Sequence, residues 1–175
     1  MYGQDTIVRY LQDAEAAERA FEDALASLSK TGDQPAVQNA LATMSRNART
    51  QHERLEARLK ALNAGRSTAR SALAHAVGFT TTLAQVGQSP AEKNTQHLMI
   101  VIATAAAESG MYEALASAAE AAGDPTTEQL ARQLQDEERQ DYEQAALLLR
   151  QSAVDAFEQA MNDNVSQAPA ALAAN

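Results

Sequence analysis

Four stretches of the chain set apolar residues at intervals of three and four, the period of one helix face, and each breaks that face near its middle with an acid or an imidazole. The faces read Ile7, Leu11, Ala14, Glu18, Phe21, Leu25, Leu28; then Val37, Leu41, Met44, Ala48, His52, Leu55, Leu59, Leu62; then Leu98, Ile102, Ala105, Glu108, Tyr112, Leu115; and last Leu130, Leu134, Glu137, Asp141, Leu148. On the second face a count through Gln51 fits almost as well as one through His52. Glu137 and Asp141 lie one turn apart and face the same way. Taking an ionised carboxylate out of water costs several kcal/mol, a large part of the roughly 5 to 15 kcal/mol that stabilises a whole domain, unless a partner compensates it. A metal ion is one such partner. The other reading is a hydrogen-bonded polar layer, with some carboxyls protonated or paired with Arg19, Arg49 or Arg139.

Composition narrows the frame around these faces. A chain of 175 residues suits one domain with a real core, and its 7 Gly, 4 Pro, absent Trp and abundant alanine favour helix throughout. With no cysteine there is no disulfide, thiolate-bound zinc, iron–sulfur cluster or thiol catalysis, which fits a reducing, cytoplasmic setting. No basic segment followed by an apolar run opens the sequence, and the longest near-apolar stretch, Leu98 to Ala107, has 10 residues where a bilayer needs about 20, so no membrane association is expected. The net charge of -9, without a cluster of Lys and Arg, argues against nucleic acid as a partner.

Caps and breakers divide the chain. The first helix is expected from Asp5 as cap to Lys30, before Thr31-Gly32, and the second from Pro35 to about Asn63, before Ala64-Gly65. A connector so short between two long helices forces an antiparallel hairpin. Residues 66 to 89 read as a long crossover with a short helix over Ser67 to Val77, broken by Gly78, the threonine run 80 to 82 and Gly87. Ser89-Pro90 opens a third helix ending at Gly123, and Asp124 caps a fourth that runs to about Met161. Residues 1–161 thus form the bundle, and 162–175 read as a disordered tail without a stripe. Hairpin, long crossover, hairpin is the connectivity of an all-α, ferritin-like antiparallel four-helix bundle, whose metal sites lie in the core between facing helices.

Depth adds an independent argument. Glu18 stands 14 residues before a turn near residue 32, and the same distance beyond it gives residue 46, a few places from Asn47 to His52. Glu108 stands 15 residues before the turn near residue 123, which points to residue 138, beside Glu137, Glu138 and Asp141. All the intruding residues therefore share one level. Elsewhere, Asp13, Glu15, Glu22 and Asp23 read as a solvated face of the first helix with Arg46, Arg49, Arg54 and Arg58 opposite; Met44, Met99 and Met111 read as core; His75 and His97 are lone.

Four segments, Asp13 to Arg19, Gln51 to Glu56, Glu108 with Tyr112, and Asp136-Glu137-Glu138 with Asp141, resemble the ferritin-like YciE/YciF family of bacterial stress proteins in their order and spacing. The resemblance covers roughly residues 5 to 150 and implies a homodimeric bundle with a dinuclear iron-type carboxylate centre. Carried over, Glu18, Glu108, Glu137 and Asp141 match acidic positions of that centre, with His52 or Gln51 completing it and Tyr112 behind it. Ala105 and Asn47 stand where the family has further acids, which makes this centre a partial one. Oxygen donors with at most one imidazole favour iron or manganese over zinc. Two functions are consistent with this: redox handling of iron or peroxide, or a non-catalytic stress or assembly protein that keeps the fold without the metal.

Overall fold

The computed structural model describes residues 2–65 and 90–172, and in them the chain forms four helices: α1 Tyr2–Leu28, α2 Pro35–Ala61, α3 Pro90–Ala122 and α4 Pro125–Leu172. The crossover, its expected short helix and His75 lie outside the described residues. α1 pairs closely with α2 and α3 with α4, α1 lies along α3, and the seam between α2 and α4 is the slightest of the four. The architecture is an all-α four-helix bundle, as the spacing predicts.

Local chemistry sets the ends. α1 begins at Tyr2, so Asp5 sits in its first turn beside the free amides rather than capping them. α2 starts on Pro35, whose missing amide is harmless there. It stops when Asn63, at φ 56°, turns left-handed and lets the Ala64 amide reach back to the Leu59 carbonyl at 2.9 Å. Gly123, at φ 70°, ends α3 in the same way, with the Asp124 amide on the Ala119 carbonyl at 2.9 Å. Asp124 then caps α4, accepting from the Thr127 amide at 3.1 Å while Arg58 of α2 donates to both its oxygens at 2.7 Å.

α4 continues to Leu172, beyond the end expected at Met161. An absent apolar stripe does not by itself end a helix, and α4 runs on through Asn162, Asp163 and Asn164 and past Pro169 although these are weak helix formers. α3 is long and apolar enough to cross a membrane by composition, yet it turns Asn94, His97 and Glu108 inward against the other helices, as a core helix does.

The buried interior falls into two apolar halves. One gathers Ile7, Leu11, Leu55, Leu59, Tyr112, Leu115 and Leu134; the other Phe21, Leu25, Val37, Leu41, Met44, Leu98 and Val101. Between them, at the level of Glu18 on α1, runs a layer of buried polar side chains.

Candidate metal centre

That layer is built from one acid on each of three helices. Glu18 of α1, Glu108 of α3 and Glu138 of α4 are 0%, 3% and 1% exposed, and one carboxylate oxygen of each lies within 4.8 Å of the others. Ala14 and Phe21 flank Glu18 along its helix, as Ala105 and Tyr112 flank Glu108 and Leu134 and Asp141 flank Glu138, so each acid is held in place by packing one turn away. The Tyr112 hydroxyl donates to Glu18 Oε1, and the Gln51 amide donates to Glu138 Oε1 at 3.0 Å. Asp141, buried one turn from Glu138, accepts from the Asn47 amide at 3.3 Å. Among the described residues no donor from outside the cluster reaches either oxygen of Glu108, or Oε2 of Glu18 and of Glu138, and a retained proton hydrogen-bonds Glu108 to Glu138.

No cation balances these acids among the described residues. Arg19 pairs with Glu15 at 2.8 Å, Arg49 with Glu22 at 2.7 Å and Arg139 with Asp136 at 3.0 Å, all outside the layer. Burial accordingly pushes the Glu18 carboxyl well above the usual range, Glu138 pushes it further, and the Tyr112 hydrogen bond only partly offsets them. Glu108 is raised well up by burial and then by the charges of Glu18 and Glu138. Glu138 is pushed up to about 8 by burial and by Asp141, against the pull of the Gln51 amide, and Asp141 to about 6 by burial. Carboxyls so placed either keep protons or surrender them to a cation that takes the protons' place. Three hard oxygen donors converging without a competing counterion suit a divalent cation chemically.

Glu18 and Glu108 meet as their stripes predict. Glu137 does not join them: it turns to the rim, where Arg54 Nη1 donates to it at 2.7 Å, and Glu138 takes the inward position on α4. On α2 the count through Gln51 is the one that faces inward. His52 sits half-buried on the flank, its Nδ1 3.1 Å from Glu22 Oε2, away from the three acids. Glu15 and Glu22, expected on a solvated face, are buried because α1 is covered by two neighbours: Glu22 lies under Arg49 and His52, and Glu15 under Arg19. Met99 is exposed rather than core, whereas Met44 is fully buried. His97 is buried beside Thr31 and pushed low by that burial and by Lys93, remote from the layer. The overlooked signal for Glu138 is the three-four series Thr127, Ala131, Leu134, Glu138, Asp141, Ala145, whose small members hide it; the count from the turn lands on this residue.

Two helix pairs with carboxylates converging in a polar layer of the core define the chain as an all-α four-helix bundle with a buried carboxylate cluster. It belongs to the DUF892 family, a domain of unknown function, whose model matches residues 3–162. The bundle superposes on the E. coli stress protein YciF with a TM-score of 0.77 at 17% identity, covering 86% of this chain and 96% of that one. A protein of Xanthomonas campestris gives 0.69 at 20% identity, covering 93% and 99%, and YcfI of Rhodopseudomonas palustris 0.74 at 16%, covering 82% and 92%. TM-scores of this size establish a common fold with YciF. No curated protein matches the sequence significantly.

Proposed function

We propose that the chain is a stress-protection protein that binds iron or manganese through Glu18, Glu108 and Glu138, with Asp141 at the flank. The observation that carries this is the set of four buried carboxylate oxygens, two on Glu108 and one each on Glu18 and Glu138, that no donor from the rest of the described residues reaches, a proton shared between Glu108 and Glu138 being all that joins them. Such a group is costly to bury and is relieved by a cation. When bound, iron or manganese supplies one-electron exchange with peroxide or other oxygen species. The chain does the rest: the Tyr112 hydroxyl and the Gln51 amide fix the directions of Glu18 and Glu138, and the two apolar halves keep bulk water from the layer.

Elemental analysis of protein purified without chelator tests the reading, together with melting curves in chelator and in excess Mn²⁺. Bound metal, and a melting temperature that rises with added Mn²⁺, support it; neither metal nor shift overturns it, since a ligand of the folded state must stabilise that state. The second reading, a non-catalytic stress or assembly protein, draws on Ala105, buried where the resemblance implies a further acid, and on Asn47 and Gln51, which present amides. Peroxidase or ferroxidase turnover equal in wild type and Glu18→Ala favours that reading.

The same proposal includes a cytoplasmic homodimer. Leu147, Val154, Phe157 and Met161 form an exposed apolar stripe at heptad-like intervals on α4, a surface suited to a second copy. Light scattering of Leu147→Glu with Phe157→Glu, set against wild type, tests it: a halved mass supports pairing through α4.

A further inference from the structure

We infer that the carboxylate layer is a one-ion centre, because α2 closes it with hydrogen-bond donors and a methyl group where a second ion needs oxygen or imidazole ligands. The inference rests on the metal-binding reading and sets its stoichiometry, against the dinuclear centre that the resemblance implies.

The donor set decides it. One oxygen from each of Glu18, Glu108 and Glu138 lies within 4.8 Å of the others, a limit a few tenths of an ångström beyond the roughly 4.2 Å that separates opposite oxygens around one cation at about 2.1 Å, so a small inward movement closes the three on a single ion. Glu108, 3% exposed and reached by no donor from outside the cluster among the described residues, points into that space. A second ion, about 3.5 to 4 Å from the first, needs its own share of ligands. The inward positions of α2 at this level are Ala48 and Gln51, each 1% exposed. Ala48 has no donor atom. Gln51 presents its NH₂ group, which donates to Glu138 Oε1 at 3.0 Å and to Glu137 Oε2 at 3.2 Å. Asn47 spends its NH₂ group on Asp141 at 3.3 Å, and His52 faces Glu22 on the flank. On α3, Ala105 is buried one turn before Glu108 and adds nothing. Above and below lie Phe21 and Met44 on one side and Leu55 and Leu134 on the other. The buried carboxylates are thus gathered on α1, α3 and α4, and the α2 wall turns NH₂ groups and a methyl toward them, offering a second ion no anionic ligand.

The test is a count of Mn²⁺ on chelator-stripped, full-length protein, by equilibrium dialysis with elemental analysis and by electron paramagnetic resonance of the loaded sample. Saturation at one Mn²⁺ per chain with a magnetically isolated spectrum is expected. Saturation at two, with an exchange-coupled pair spectrum, overturns the inference but leaves the metal-binding reading standing; no binding overturns both. The double variant Ala48→Glu with Gln51→His puts ligands on the α2 wall and is expected to raise the count to two. A folded double variant that stays at one refutes the role given to α2, and the wild-type count stands by itself should that variant not fold.

Discussion

Stripped of metal, the protein should lose stability as pH rises, the reverse of ordinary acid denaturation, and Glu138 gives the size of the effect. Its carboxyl is pushed from 4.5 to about 8 by burial and by Asp141. Folded chains therefore hold a proton that unfolded chains have released, and where the folded state binds more protons, unfolding becomes easier with every step upward in pH. The contribution is whole below the unfolded value of 4.5, falls through the interval and is gone above about 8. At about 1.4 kcal/mol for each pKa unit, Glu138 alone accounts for several kcal/mol, a large fraction of a typical domain's stability. Asp141, moved from 3.8 to about 6 by burial, adds in the same direction over a lower interval. His97, held low by burial and Lys93, opposes it, because protonation of the unfolded imidazole favours unfolding toward acid. Comparison with Glu138→Gln cancels that opposition. Urea unfolding in chelator at about pH 5 and about pH 8 should show wild type and variant alike at the lower pH and the variant more stable by a few kcal/mol at the higher. Excess Mn²⁺ should restore wild type at about pH 8, by about 2.7 kcal/mol at a hundred times Kd, and leave the variant unmoved. Equal pH slopes for the two proteins in chelator would refute the reasoning.

Tyr112→Phe removes the donor to Glu18 and leaves a buried oxygen unpaired, so urea unfolding in chelator at neutral pH should show a loss of about 1 to 3 kcal/mol. Gly32 lies at φ 91° and a methyl there meets the Asn94 side-chain oxygen, so Gly32→Ala should lower stability by about 1 to 3 kcal/mol in the same assay. Gly110, in an open stretch of α3 with nothing near its Cβ position, is the opposite case: Gly110→Ala should raise stability by up to about 1 kcal/mol. Asp124→Ala takes away the α4 cap together with both Arg58 hydrogen bonds, and a loss of about 2 to 4 kcal/mol is expected, read as a drop in melting temperature.

The helices are legible because each is punctuated twice, by a stripe and by an end signal, and the two agree. Pro35, Gly123 and Asp124 act as their chemistry dictates. Ends went astray where only one signal was present. Asn63 did the work expected of Gly65, since asparagine tolerates the left-handed conformation and comes earlier in the chain. At the end of α4 the stripe fades, yet the helix continues through residues that favour it poorly. The solvated face assigned to α1 assumed one buried side, whereas a helix touching both α2 and α3 buries Glu15 and Glu22 as well.

The site was legible in depth but not in register, and alanine is the reason. Burying a leucine is worth far more transfer free energy than burying an alanine, so a stripe traced by bulk follows Leu130 and Leu148 and arrives at Glu137. Packing between helices is chosen by fit. The fully buried series on α4 runs through Ala131, Leu134 and Ala145, where small side chains accept those of neighbouring helices, while Leu147 is left outside. On α2 the ambiguity was one of spacing, since three-four counts from Ala48 to Leu55 pass through His52 or Gln51 almost equally well, and packing buries Gln51. Counting residues from a turn depends only on the rise per residue, which is blind to side-chain bulk; it landed on 138 in α4, although in α2 it gave residue 46, five short of Gln51. In an alanine-rich bundle, depth therefore outranks hydrophobic bulk wherever the two disagree about an acid. An acid on a seam of alanines, one residue from a bulkier but shallower stripe, is the place to look for a centre.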